Sequence, residues 1–300
     1  MLPGPDDEGP PAVIRPSVKI AVNGTRLWFD IDGPALVTDG DRMRQRPTLV
    51  LLHGGPGGFD HSYLRPHFSP LADVAQVVSL DLRDHGRSAR HDPDAWSFES
   101  CADDVRAFCD ALGIHRPLVL GHSMGGFVAL LYGARHPGHA GGLILQSTVA
   151  RFDLDRLTDG VRRVAGDEVA AVARRDYGGE DVSAEEFAPV WLAFGPHVPD
   201  AAALRRIVRN PDVNPRGLSL LRTFDASAQL ARITSPTLVC VGELDPVTPV
   251  PASEEIVAGL RHASSRLEVL AGAGHFPWLD VPDRYRSIIA QFIAEQAPSQ

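Results

Sequence analysis

The strongest constraint on this sequence is a series of short runs that are apolar throughout, separated by helical periods: TLVLLHGG (48–55), VVSLDLRDHG (77–86), PLVLGHS (117–123), GLILQST (142–148), TLVCVGELD (237–245) and RLEVLAGAGH (266–275). A strand with one solvated face alternates apolar and polar residues. A strand with no polar side must be covered on both faces, as in a parallel sheet wrapped by helices. The pattern predicts an α/β fold with a doubly wound, mostly parallel sheet. Between the runs, Cys101, Val105, Phe108 and Leu112 recur at helical spacing and stop at Gly113, and a second helix runs from Met124 to His136 before Pro137. Tyr285, Ile288, Ile289, Phe292 and Ile293 mark a last amphipathic helix. Upstream, VKIAVN (18–23) and RLWFDIDG (26–33) flank Asn23-Gly24 and read as an antiparallel hairpin, followed by a polar segment over 38–47.

Almost ninety residues separate Thr148 from Thr237, too many for one crossover. The expected organisation is therefore a sheet domain over 18–148 and 232–300, with a helical cap over 149–231 inserted after the sixth strand. Residues 1–17 are rich in acids and prolines, lack the positive segment and apolar core of a secretory signal, and read as a disordered leader. The formal charge of −9 argues against nucleic acid or an anionic membrane as partner, and Lys19 is the only lysine. No apolar stretch approaches the roughly 20 residues that span a bilayer. Cys101 and Cys109 would lie about 12 Å apart on one helix, too far to pair. With Cys240 they read as free thiols packed in a core, as in a reducing cytoplasm. The chain is expected to be soluble and cytoplasmic, with a small-molecule substrate; its oligomeric state is left open.

LVLGHSMGGFVAL (118–130) sets Gly121-His122-Ser123-Met124-Gly125 between a buried strand and a helix, which fits the G-x-S-x-G nucleophile elbow. The turn is so sharp that side chains two residues either side of the serine would collide with neighbouring backbone. A serine hydroxyl is a weak nucleophile without a base, and the base needs an acid to fix its tautomer. Of twelve histidines, His275 ends a strand pattern with two glycines that release it beyond the sheet. His53, His85 and His122 lie in or beside glycine turns and read as structural hydrogen-bonding residues. For the acid, Asp245 follows a buried strand at the same end of the sheet and precedes Pro246, which favours it over Glu243.

HGGPGG, DLRDHGRS, GHSMGG, GELDPVTP and GAGHFPW, in this order, make the chain resemble the α/β-hydrolase superfamily from about residue 20 to 295. The resemblance implies Ser123 as nucleophile, His275 as general base and acid, and Asp245 as the orienting acid. Serine at the elbow also argues against dehalogenase or epoxide-hydrolase chemistry, where relatives carry aspartate.

HGGPGG is not a phosphate cradle. A Walker loop needs a lysine after its glycines, and the spacing is not that of a dinucleotide fingerprint. The remaining functional reading is an oxyanion hole made by the N–H of Met124 and of Gly55, with Gly54 as the alternative. Neither a cofactor nor a metal is called for.

HGGPGG with a later D-x-R-x-x-G-R-S is similar to the proline-iminopeptidase branch, which implies release of N-terminal residues from peptides. Met124 after the serine and Asp84 depart from that branch's usual aromatic residue and glycine. An aminopeptidase also needs acids that face the substrate ammonium. Asp181, Glu185 and Glu186 are available, although SAEE reads as a capping box. The favoured reading is a serine esterase, lactonase or amidase acting on a small molecule through an acyl-enzyme. Aminopeptidase is the alternative, and a binding or biosynthetic protein that retains the triad is a third. Phe187, Trp191 and Phe194 are the candidate pocket residues of the cap.

Overall fold

A computed structural model describes residues 18–297; the expected leader, 1–17, lies outside the described residues. Ten strands form: β1 (Lys19–Val22), β2 (Thr25–Asp32), β3 (Leu36–Asp39), β4 (Arg42–Gln45), β5 (Thr48–Leu52), β6 (Gln76–Leu80), β7 (Leu118–His122), β8 (Gly142–Gln146), β9 (Thr237–Gly242) and β10 (Ser265–Leu270). Eight of them make one sheet in the order β1-β2-β6-β5-β7-β8-β9-β10. From β6 to β10 all neighbours are parallel, while β1 and β2 add antiparallel at one end.

Apart from the edge strand β10, whose residues before Leu270 are half-buried or exposed, the continuous apolar runs have the predicted cause. Leu49 and Leu51 pack with Leu118, Leu120, Leu238 and Ile289 on one face, whereas Val50 and Leu52 pack with Val119, Val105 and Phe108 on the other. Successive side chains on a strand point to opposite faces, so both registers must be apolar when helices cover both. The covering helices include Phe98–Ala111, Met124–Arg135, Val250–Gly259 and Pro282–Glu295. Cys101, Cys109 and Cys240 are free and buried. Among the described residues no helix is long and apolar enough to cross a membrane.

The polar segment 38–47 proves to be part of a second structure, the two-stranded hairpin β3–β4, turning at Gly40-Asp41 with Gly40 at φ 62°. Its strands are almost wholly exposed. With no buried face there is no alternation to read. The segment between β8 and β9 holds helices Leu154–Gly178, Ala184–Leu192, Ala201–Arg206 and Asn214–Arg222. At its base the chain closes on itself: Phe152 N–H donates to Phe224 O (3.0 Å) and Ala226 N–H to Ala150 O (2.7 Å).

The sheet and the Met124–Arg135 helix meet with no space for side chains at the turn between them. A Cβ on Gly121 would lie 2.2 Å from the Gly125 oxygen, one on Gly125 2.2 Å from the Leu52 oxygen, and one on Gly126 2.3 Å from Thr148 Oγ1. Gly121→Ala is expected to lower the unfolding free energy by about 1–3 kcal/mol, because the contact is with backbone that cannot step aside; urea denaturation checks this.

Candidate active site

Ser123 follows β7 and precedes the Met124–Arg135 helix with φ 54° and ψ −119°, a conformation that costs a non-glycine residue about 1–3 kcal/mol. The strain is held from both sides. Ser123 N–H donates to Gln146 O of β8 (2.9 Å), and Thr148 Oγ1 donates to Ser123 O (2.9 Å). A serine at a helix start usually caps it. Here the side chain makes no capping bond, so the hydroxyl is free for other work.

Asp245 and His275 stand on the loops after β9 and β10. His275 Nδ1 donates to Asp245 Oδ2 at 2.9 Å, with both side chains buried. Asp245 also accepts from the N–H groups of Val247 (2.9 Å) and Thr248 (3.0 Å) and from Thr248 Oγ1 (2.6 Å). Burial alone would raise its pKa. Attraction to the His275 imidazole and these hydrogen bonds outweigh burial and hold the carboxyl below its ordinary value. Glu243 instead turns outward to accept from Gly272 N–H (3.1 Å). Ser123 and His275 border one cavity of about 590 Å3, and Phe187, Trp191 and Phe194 line it as well. Phe194 also fixes the histidine loop, because its carbonyl accepts from His275 N–H at 2.7 Å.

The structure separates Gly54 from Gly55. Gly54 N–H donates to Tyr63 Oη (2.8 Å), whereas no acceptor within the described residues takes the Gly55 N–H. Gly55 packs against the Met124 side chain, where a Cβ would come within 3.0 Å of Sδ. The two residues are therefore in contact through the Met124 side chain.

His53, His85 and His122 act as neutral connectors. His53 Nε2 accepts from Leu82 N–H (3.1 Å), and His85 Nε2 accepts from Gly57 N–H (2.9 Å). Burial pushes His53 down and drives His85 down to about 3. Burial, with the His275 ring beside it, also keeps His122 neutral. Its Nε2–H must donate to the His275 carbonyl (3.0 Å), because a carbonyl can only accept. Nδ1 then accepts from Tyr63 O–H (2.7 Å). The result is a continuous chain from Gly54 N–H through Tyr63 and His122 to the His275 backbone. Tyr63 carried no sequence signal beyond its place in a short turn after HGGPGG.

The conspicuous DLRDHGRS segment supports the same loop. Asp81 accepts from His61 N–H (2.9 Å), His61 Nδ1 (2.7 Å) and Arg87 N–H (2.8 Å). Gly86, at φ 53°, leaves the space these bonds need, since a Cβ there would lie 2.1 Å from Asp81 Oδ2. Asp84 occupies the left-handed region at φ 63°, which is tolerated by aspartate and favoured by glycine.

Residues 47–178 match the family described as alpha/beta hydrolase fold, and sheet order, elbow and loop positions fit that fold. The chain is 28% identical over 271 residues, 85% of its length and 92% of the relative's, to a proline iminopeptidase, PfmaB, of Pestalotiopsis fici. It is 29% identical over 264 residues, 86% of its length and 98% of the relative's, to a pimeloyl-acyl-carrier-protein methyl ester esterase of Chromobacterium violaceum. Among solved structures, VinJ matches with a TM-score of 0.76 at 22% identity, covering 94% of this chain and 99% of that one. The chain has the α/β-hydrolase fold and is a hydrolase.

Two outcomes follow from the geometry. Tyr63→Phe leaves the Gly54 N–H and His122 Nδ1 without their partner and is expected to cost about 1–3 kcal/mol of stability, read as a drop in the urea midpoint. Burial by itself would lower the pKa of His61, but Asp30 and Asp81 raise it to about 9. The unfolded value is about 6.5, so this contribution is complete below that pH and is lost as pH rises through about 9. Stability should decline across that window, and His61→Gln should flatten the decline in pH-dependent denaturation.

Proposed function

We propose that the chain is a serine hydrolase that cleaves an ester, lactone or amide bond of a small molecule through an acyl-enzyme. The observation that carries this reading is the 2.9 Å His275–Asp245 bond beside a cavity that His275 shares with Ser123. His275 Nδ1–H is engaged by Asp245, so Nε2 is the nitrogen left to accept the Ser123 proton. Ser123 Oγ attacks the carbonyl carbon. Negative charge moves to the carbonyl oxygen and meets the N–H groups of Gly55 and Met124. The intermediate collapses as the imidazolium returns the proton to the leaving atom; water then repeats the sequence to release the acid. The helical segment 149–231 acts as a cap whose Phe187, Trp191 and Phe194 face the substrate.

One observation favours aminopeptidase as a second reading. Asp181, Glu185 and Glu186 do not line the cavity. Glu186 completes a capping box with Ser183 and pairs with Arg175 (3.3 Å). Asp176, however, borders the cavity. Burial raises its pKa, aided by Asp181 and opposed by Arg222, so a bound ammonium would be a natural partner.

A fluorophosphonate should label Ser123 in folded protein, and Ser123→Ala should abolish labelling and lower turnover by about 1000-fold or more. Absence of label on the native chain sinks the reading, and label without turnover of any ester, lactone or amide favours a binding role. Rates on p-nitrophenyl esters, acyl lactones and proline 4-nitroanilide should favour the neutral substrates. A proline-anilide preference lost about tenfold or more in Asp176→Asn would make aminopeptidase the better reading.

A further inference from the structure

Ser123 stands between two cavities of unequal size. The larger, about 590 Å3, is bounded by His275, the glycine loop and the aromatic residues of the helical segment. The smaller, about 50 Å3, is bounded by Gly55, Met124, Phe98, Phe127 and Val149, and His275 is not in its wall. Acyl transfer makes the two sides inequivalent. The imidazole must reach the atom that departs, since it delivers the proton there. The leaving group therefore lies on the side that His275 bounds. With the oxyanion turned to Gly55 and Met124, the substituent on the acyl carbon takes the remaining side.

Resting on the serine-hydrolase reading, we infer that the substrate carries a short, neutral acyl group, held in the smaller cavity, and a bulky apolar leaving group held in the larger one. A cavity of about 150 Å3 takes a benzene ring, so about one third of that accepts about two or three heavy atoms beyond the carbonyl. The wall does not yield easily. Phe127 is stacked on Phe224 with centroids 4.4 Å apart, and Phe98 meets both rings edge-on at 5.5 and 5.4 Å. Arg151 and Arg156 border the small cavity, yet neither offers a free charge to an acidic acyl chain. Arg156 donates to both oxygens of Glu255 (3.0 and 2.5 Å), and Arg151 lies 3.6 Å from Asp153. Asp176 borders only the larger cavity, so a cation it receives belongs to the leaving group. An aminopeptidase carries its ammonium on the acyl part, which sets that reading against this arrangement.

The test is two kinetic series on one preparation whose Ser123 has been shown to label with fluorophosphonate. With p-nitrophenol fixed as leaving group, kcat/KM should peak between acetate and butanoate and fall about tenfold or more by octanoate. With acetate fixed, kcat/KM should rise from phenyl to naphthyl and larger aryl esters. Val149→Ala should move the acyl optimum one or two carbons longer. Trp191→Ala should alter the aryl series while the acyl optimum stays in place. An optimum at octanoate or beyond, or an acyl optimum moved by Trp191→Ala and not by Val149→Ala, overturns the assignment and leaves the serine-hydrolase reading standing. Absence of label removes both.

Discussion

The structure depends on how closely the start of one helix approaches three strands. At Gly121, Gly125 and Gly126 the backbone of the elbow lies against Gly125, Leu52 and Thr148 with no space for a methyl group. That contact sets where the helix can begin. It also forces Ser123 into its positive-φ turn, at the end of a strand that lies between β5 and β8. Because the strands from β6 to β10 run parallel, the loops bearing HGGPGG, DLRDHGRS, Asp245 and His275 all leave the sheet at that same end. His53 and His275 stand at opposite ends of the chain, yet both come to this edge without any local signal relating them.

The polar groups beneath this edge fall into two electrical types. His53, His85 and His122 are buried without a carboxylate bonded to the ring and remain neutral, each accepting through one nitrogen and donating through the other. His61 is buried beside Asp81, with Asp30 3.5 Å away, and carries charge. Neutral connectors transmit position without adding a field near the candidate nucleophile. The charged group lies to one side, where it secures the loop.

Much of this was legible in the sequence for one reason: a side chain that must be apolar, or must be absent, leaves a mark. The buried strands read as unbroken apolar runs, and Gly121 and Gly125 read as an elbow because nothing larger fits. Residues chosen by partners left no such mark. Tyr63 matters through a hydroxyl aimed at His122, and Asp176 resembles any acid on a helix until the cavity beside it is seen. The β3–β4 hairpin has no buried face and so no periodicity, only the Gly40-Asp41 turn. DLRDHGRS was conspicuous as a landmark, but the task of Asp81 depends on His61 and Arg87 approaching from both sides.

The paired backbone at Ala150–Phe152 and Phe224–Ala226 gives the helical segment a narrow neck. The chain leaves the sheet, travels more than seventy residues and returns to within hydrogen-bonding distance of its point of departure. Closing so long a loop costs little more entropy than closing one half its length. The length of chain between these two points can therefore vary at little entropic cost, provided that the carbonyl of Phe194 keeps its hold on the His275 backbone.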